Sequence, residues 1–143
     1  MKVRLLEFDF KTANDRIYRK ESVIPLLDGL NSQPLYGTLE MAAVSEVDIS
    51  MCSHYIKNIK IEGKYLVGEV VILDNEHGAI LSKELNERVF RSRAFGSVDS
   101  STREVKELEI LAFDAIKKED DTFEIEELSE LEVIVNEIEK ELN

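Results

Sequence analysis

The sequence predicts an α+β domain with a mostly antiparallel sheet, flanking helices and a C-terminal amphipathic helix. Three observations carry this. Two apolar segments, Ser53–Ile61 and Lys64–Leu73, flank the short turn Glu62-Gly63 and so read as an antiparallel hairpin. Segments of helical period, Glu21–Leu30 and Ala79–Val89, separate strand-forming stretches. From Lys117 onward, apolar residues recur three and four apart on an otherwise acidic background.

Val3–Phe10 reads as the first strand, with Leu6, Phe8 and Phe10 at spacing two on one face. The polar run Lys11–Asp15 forms a loop. Glu21–Leu30 then places Val23, Ile24, Leu26, Leu27 and Leu30 at helical spacing, with Ser22 as N-cap and Pro25 tolerated in the first turn. Asn31-Ser32-Gln33-Pro34 stops that helix. In the second arm of the hairpin, Leu66, Gly68, Val70 and Ile72 lie opposite Tyr65, Val67, Glu69 and Val71. Both faces are largely apolar, which predicts a central strand covered on both sides. Gly68 leaves room there for a close neighbour or a bulge. Asn75-Glu76-His77-Gly78 makes a loop, and Ile80, Leu81, Leu85 and Val89 supply one face of the second helix.

The net charge of −12 argues against nonspecific binding to nucleic acid or anionic membrane, since phosphate contacts need clustered Lys and Arg. No apolar run approaches a membrane span, and Met1-Lys2-Val3-Arg4 does not lead into a secretory signal, so a cytoplasmic setting is expected. Cys52 is the only cysteine, which rules out an intrachain disulfide and predicts a buried structural thiol. Activation of that thiol would need a cation nearby, for which His54 is the candidate. The only histidines, His54 and His77, stand in no ligand spacing, so neither metal nor cofactor is expected.

The stretch Phe90-Arg91-Ser92-Arg93-Ala94-Phe95-Gly96-Ser97 resembles a protease active-site motif with its nucleophile replaced. Together with Tyr36-Gly37-Thr38-Leu39-Glu40-Met41-Ala42 and Asn14-Asp15-Arg16-Ile17-Tyr18, it resembles the prohead (capsid maturation) proteases of tailed phages. In that family a Ser-Ser-Arg-Gly-x-Gly-Ser run carries the nucleophile, Gly-Glu-Leu-Asp/Asn-His-Pro carries the histidine, and Asn-x-Arg-x-Tyr lies near the N-terminus. Val47-Asp48-Ile49, Ser53-His54, Gly68–Asp74, Gly78 and the closing strand Leu111–Ile116 follow the family's order, so the resemblance covers residues 5 to 116. It implies a herpesvirus-assemblin-like fold, an antiparallel sheet or small barrel, over residues 1–116, with 117–143 as an added helix.

Without a gap, the family's nucleophile falls on Arg91 and its histidine on Met41. Serine proteolysis needs a hydroxyl nucleophile, a base and oxyanion donors. A guanidinium stays protonated and cannot attack a carbonyl, and a thioether cannot take the proton. Ser92 and His54 are the fallback candidates. Ser92, however, points to the opposite strand face from Arg91, and His54 matches a Ser-His pair outside the His-Pro motif. As ordinary strand residues both make local hydrogen bonds. Arg91 and Arg93 either pair with Glu40 or a partner's carboxylates, or stay solvated.

From Lys117 to Asn143 there are eleven acidic and three basic residues. Asp121–Glu124 has the form of a capping box, and Ile125, Leu128, Leu131, Val135, Ile138 and Leu142 make the stripe. A helix of this length needs packing to be stable, on its own domain or on another chain, and the stripe is read as partner-binding. The expected function is that of a catalytically inactive structural or assembly protein of a phage capsid. It would bind capsid, scaffold or portal subunits, or form a homo-oligomer, in a virion or prohead assembled in host cytoplasm. The alternatives are an active maturation protease with a site rearranged around Ser92 and His54, and a regulator that competes with an active homologue for its partners.

Overall fold

The computed structural model describes residues 1–12, 15–40 and 47–118. Asn14, Met41 and the C-terminal stripe Ile125, Leu128, Leu131, Val135, Ile138 and Leu142 lie outside the described residues.

Strand β1 (Lys2–Glu7) is followed by α1 (Lys20–Val23), a 3-10 turn (Ile24–Leu26), α2 (Leu27–Leu30) and β2 (Leu35–Gly37). A second 3-10 turn (Ile49–Met51) leads to β3 (His54–Glu62) and β4 (Tyr65–Ile72). Then come α3 (Glu76–Glu84), a 3-10 turn (Leu85–Glu87), β5 (Arg88–Val98) and β6 (Val105–Lys117). The first four strands form an antiparallel sheet in the order β1-β4-β3-β2, and β5 and β6 form an antiparallel ribbon. The described residues form two sheets rather than a closed barrel, so the α+β, mostly antiparallel expectation holds in its open form. No helix among the described residues is long and apolar enough to cross a membrane.

The hairpin forms as the sequence predicts, with its turn one residue later, at Gly63-Lys64, where Gly63 takes φ 62°. Strand β4 is interior, and Leu66, Val67 and Val70 are buried. Glu69 is exposed, so the outer face of β4 is less covered than its composition implied. Gly68 is required by close packing. A Cβ there would lie 2.6 Å from Ile56 Cγ2 and 3.2 Å from Leu5 Cδ1.

Three element boundaries differ from expectation for local reasons. Strand β1 stops at Glu7 because Asp9 turns with φ 60°, which leaves Phe10 exposed instead of facing the core. A register shift between Arg4 and Leu6 buries both Leu5 and Leu6. The first helix is broken into three short turns beginning at Lys20, with Arg19 rather than Ser22 at its N-cap position and no side-chain cap. The second helix begins earlier, where Asn75 Oδ1 accepts the Gly78 N–H at 2.7 Å, and Val89 belongs to β5.

The ribbon is tied at one end to the residue that follows β2 and at the other to the connection between β1 and α1. Ala115 N–H donates to Thr38 O at 2.9 Å, while at the far end Val105 N–H donates to Ile17 O at 2.9 Å. Ala112 through Ile116 are all buried, so β6 closes the core as the sequence suggested.

Gly68→Ala should therefore destabilise by about 1–3 kcal/mol, since its Cβ must displace Ile56. Gly29→Ala, in α2 with open space around it, should instead stabilise by about 0.4–1 kcal/mol. Urea unfolding of the two variants checks the opposed signs.

Candidate functional site

The functional candidates converge where the end of β2, the start of β3 and the middle of the ribbon meet. Cross-strand partners in an antiparallel pair share a face, and neighbours along a strand alternate. The register Arg91↔Asp114, Ser92↔Phe113 and Arg93↔Ala112 therefore puts Arg91, Arg93 and Asp114 on one face of the ribbon. Phe90, Ser92 and Phe113 are on the other.

On the first face, Arg93 and Asp114 form a buried forked pair, with Nε to Oδ2 at 3.0 Å and Nη2 to Oδ1 at 2.9 Å. Thr38 completes it. Its backbone N–H donates to Asp114 Oδ1 at 2.9 Å, and its hydroxyl accepts from Arg93 Nη2 at 3.3 Å. The Thr38 hydroxyl lies 2.8 Å from Glu40 O and 3.2 Å from Asp114 Oδ1, and its single hydrogen serves one of them at a time. Arg93 thus pairs with Asp114 and is buried rather than solvated. Arg91 is half-buried, and its Nη1 donates to Phe90 O at 2.9 Å.

On the second face, His54 is fully buried with both ring nitrogens engaged. Nε2 lies 2.8 Å from Phe113 O, which can only accept, so Nε2 carries the hydrogen. Nδ1 then accepts from Ser53 Oγ at 2.8 Å. The Phe90 ring meets the imidazole edge-on at 5.2 Å between centroids. Burial pushes the His54 pKa below its usual value, outweighing the Phe113 carbonyl and the Asp114 charge, which act the other way. Gly37 makes the crossing possible. A Cβ there would collide with Phe113 O and come within 2.6 Å of His54 Nε2.

Ser92 lies in β5 on the core side, with its Oγ buried and without a hydrogen-bond partner, in contrast to the local bond expected for it. Neither nitrogen of His54 is free to take its proton. The structure places the two fallback residues in one region but does not join them as nucleophile and base. Cys52 is buried, as expected. Its thiol lies 3.4 Å from Asp48 O, and burial first, then the Asp114 charge, raises its pKa. A neutral His54 supplies no activating cation.

Two anchors were not anticipated. Arg88 donates through Nη1 to Leu39 O at 2.8 Å and Ala115 O at 2.6 Å, and its Nη2 meets Glu84 Oε1 at 2.6 Å. It holds the chain leading to position 41 against β6 and α3. The i,i+4 spacing of Glu84 and Arg88 was the visible signal for it. For Asp114 the signal was a single charge inside the apolar run Leu111–Ile116. Among the described residues no group of three or more His, Cys, Asp or Glu could hold a metal ion.

Among solved structures, the chain is similar to the bacteriophage T4 capsid assembly protease, gp21, with a TM-score of 0.73 and 19% identity over 81% of this chain and 79% of that one. At that identity the likeness is one of fold, and the fold of this chain is prohead protease-like. No protein-family model matches the sequence, and no curated protein sequence matches it significantly.

The depressed His54 pKa has a definite sign in stability. Below the usual value of 6.5 the unfolded chain takes up a proton that the folded chain refuses. Stability present above that pH is lost as pH falls towards the folded pKa. Denaturant melts at several pH values should show this slope, and His54→Gln should flatten it.

Proposed function

We propose that this chain is a catalytically inactive, prohead protease-like assembly protein that acts by binding capsid, scaffold or portal subunits. The observation that carries this reading is the state of the fallback pair. His54, at the start of β3, is buried with both nitrogens engaged, and Ser92 Oγ lies in the core on the opposite face from Arg91. Arg91 occupies the place where the family's motif carries its nucleophile and Met41 the place of its histidine. Loss of such groups removes several orders of magnitude of rate. The capsid setting, a virion or prohead assembled in host cytoplasm, is supported by the likeness in fold to a capsid assembly protease.

Incubated with capsid and scaffold polypeptides, the purified protein should cleave neither, and a serine-directed phosphonate should leave it unmodified. Self-cleavage, or a phosphonate adduct on Ser92 found by mass spectrometry, would instead establish a rearranged protease.

The binding role extends to the acidic segment. The stripe Ile125, Leu128, Leu131, Val135, Ile138 and Leu142 is proposed to dock on another chain, because the polar run Lys117–Asp121 suits a linker and β6 completes its pairing with β5 at Lys117. Removal of residues 120–143 should leave a folded body of lower oligomeric state that no longer joins particles. Aggregation of the truncated body in light scattering would place the stripe on its own domain, since burying such side chains is worth roughly 1.5–3 kcal/mol each.

A further inference from the structure

Strand β3 has an edge that its neighbour leaves open. Strand β2 pairs only with His54, Tyr55 and Ile56. Leu73 N–H donates to Ser53 O, and Tyr55 and Lys57 lie opposite Val71 and Glu69, so Tyr55 and Lys57 turn their backbone groups towards β4 while His54 and Ile56 turn theirs towards β2. Strand β2 begins at Leu35, directly after Pro34, so no residue of β2 lies opposite Lys57 or the residues that follow it. Beyond it the edge of β3 fronts a groove of about 560 Å³, between Asn31–Pro34 and Tyr55–Lys60.

Within that groove the Asn31 side chain occupies the place of a strand. Its Oδ1 accepts the Ile59 N–H at 2.8 Å, and its Nδ2 donates to Ile59 O at 2.8 Å while also lying 3.2 Å from Leu27 O. One carboxamide thus supplies both the acceptor and the donor that a paired strand would present. The surroundings oppose pairing as well. The register shifts between Lys57 and Lys60, Asn58 sits at φ 53°, and Lys57 and Lys60 are exposed. Bulges, edge lysines and prolines are the recognised means of blunting a sheet edge.

We infer that Asn31 is a built-in edge cap, which closes β3 against strand addition and keeps a second copy of this chain from pairing there. The inference is independent of the proposed capsid role and of the C-terminal stripe.

Hydrogen exchange tests it on the intact chain. In the wild type the Ile59 amide should be protected like a sheet amide although no β2 residue opposes it; exchange as fast as an exposed loop would overturn the inference. In Asn31→Ala the Ile59 amide should exchange at least about tenfold faster at low protein concentration. At high concentration protection should return as dimers appear in sedimentation. Unchanged exchange in the variant, or association without renewed protection at Ile59, would equally refute the cap.

Discussion

The Arg93–Asp114 pair is the constraint around which the ribbon and the sheet are arranged. Two opposite charges held away from water are tolerated only when their geometry is good and their remaining hydrogen-bonding capacity is filled. Here the carboxylate receives two guanidinium N–H groups and the backbone N–H of Thr38. Loss of one member would strand the other, at a cost of about 3–5 kcal/mol. The backbone must therefore deliver Thr38 to Asp114, and that fixes where β2 ends and how β6 lies against it. The Ala115 N–H to Thr38 O bond is the main-chain half of the same junction.

In the same region the Ser92 hydroxyl and the His54 imidazole are not joined to one another. A general base must be within hydrogen-bond reach of the proton it takes, and it needs a vacant lone pair. His54 spends its one acceptor on Ser53 and its one donor on Phe113. Its role is that of a polar pin between β3 and β6, and the absence of a side chain at Gly37 is what lets the pin pass. Arg88 has a comparable role outside the core, tying Leu39, Ala115 and Glu84 together. Of the residues that carry the resemblance, His54 and Thr38 tie strands together through their side chains.

Local features were legible from the sequence, and distant pairings were not. The β3–β4 hairpin could be read because two strand-like runs and a glycine turn lie next to each other. The alternation that separates Arg91 from Ser92 could be read because it depends on backbone geometry alone. Period-two spacing carries Phe10 onto the core face, but one left-handed residue, Asp9, ends the alternation before it. Val89 ends a short apolar run that fits either period, and its pairing with Ile116 decides for strand over helix. Asp114 stood out as a misplaced charge, yet its partner Arg93 and its donor Thr38 come from separate parts of the chain. No local pattern indicates them, nor the ties that close His54.

The same distances along the chain govern the order in which the molecule can be assembled. Thr38 and Asp114 are separated by 76 residues, and His54 and Phe113 by 59. Strands β1, β3 and β4 all lie within the first 72 residues and can pair before the ribbon exists. The junction cannot close until β6 has emerged, and contacts of such sequence separation form slowly because loop closure precedes their reward. Strand β6, the last strand among the described residues, thus supplies both the polar junction and a large part of the apolar core. Until it docks, His54 and Thr38 lack the partners that Phe113 and Asp114 supply.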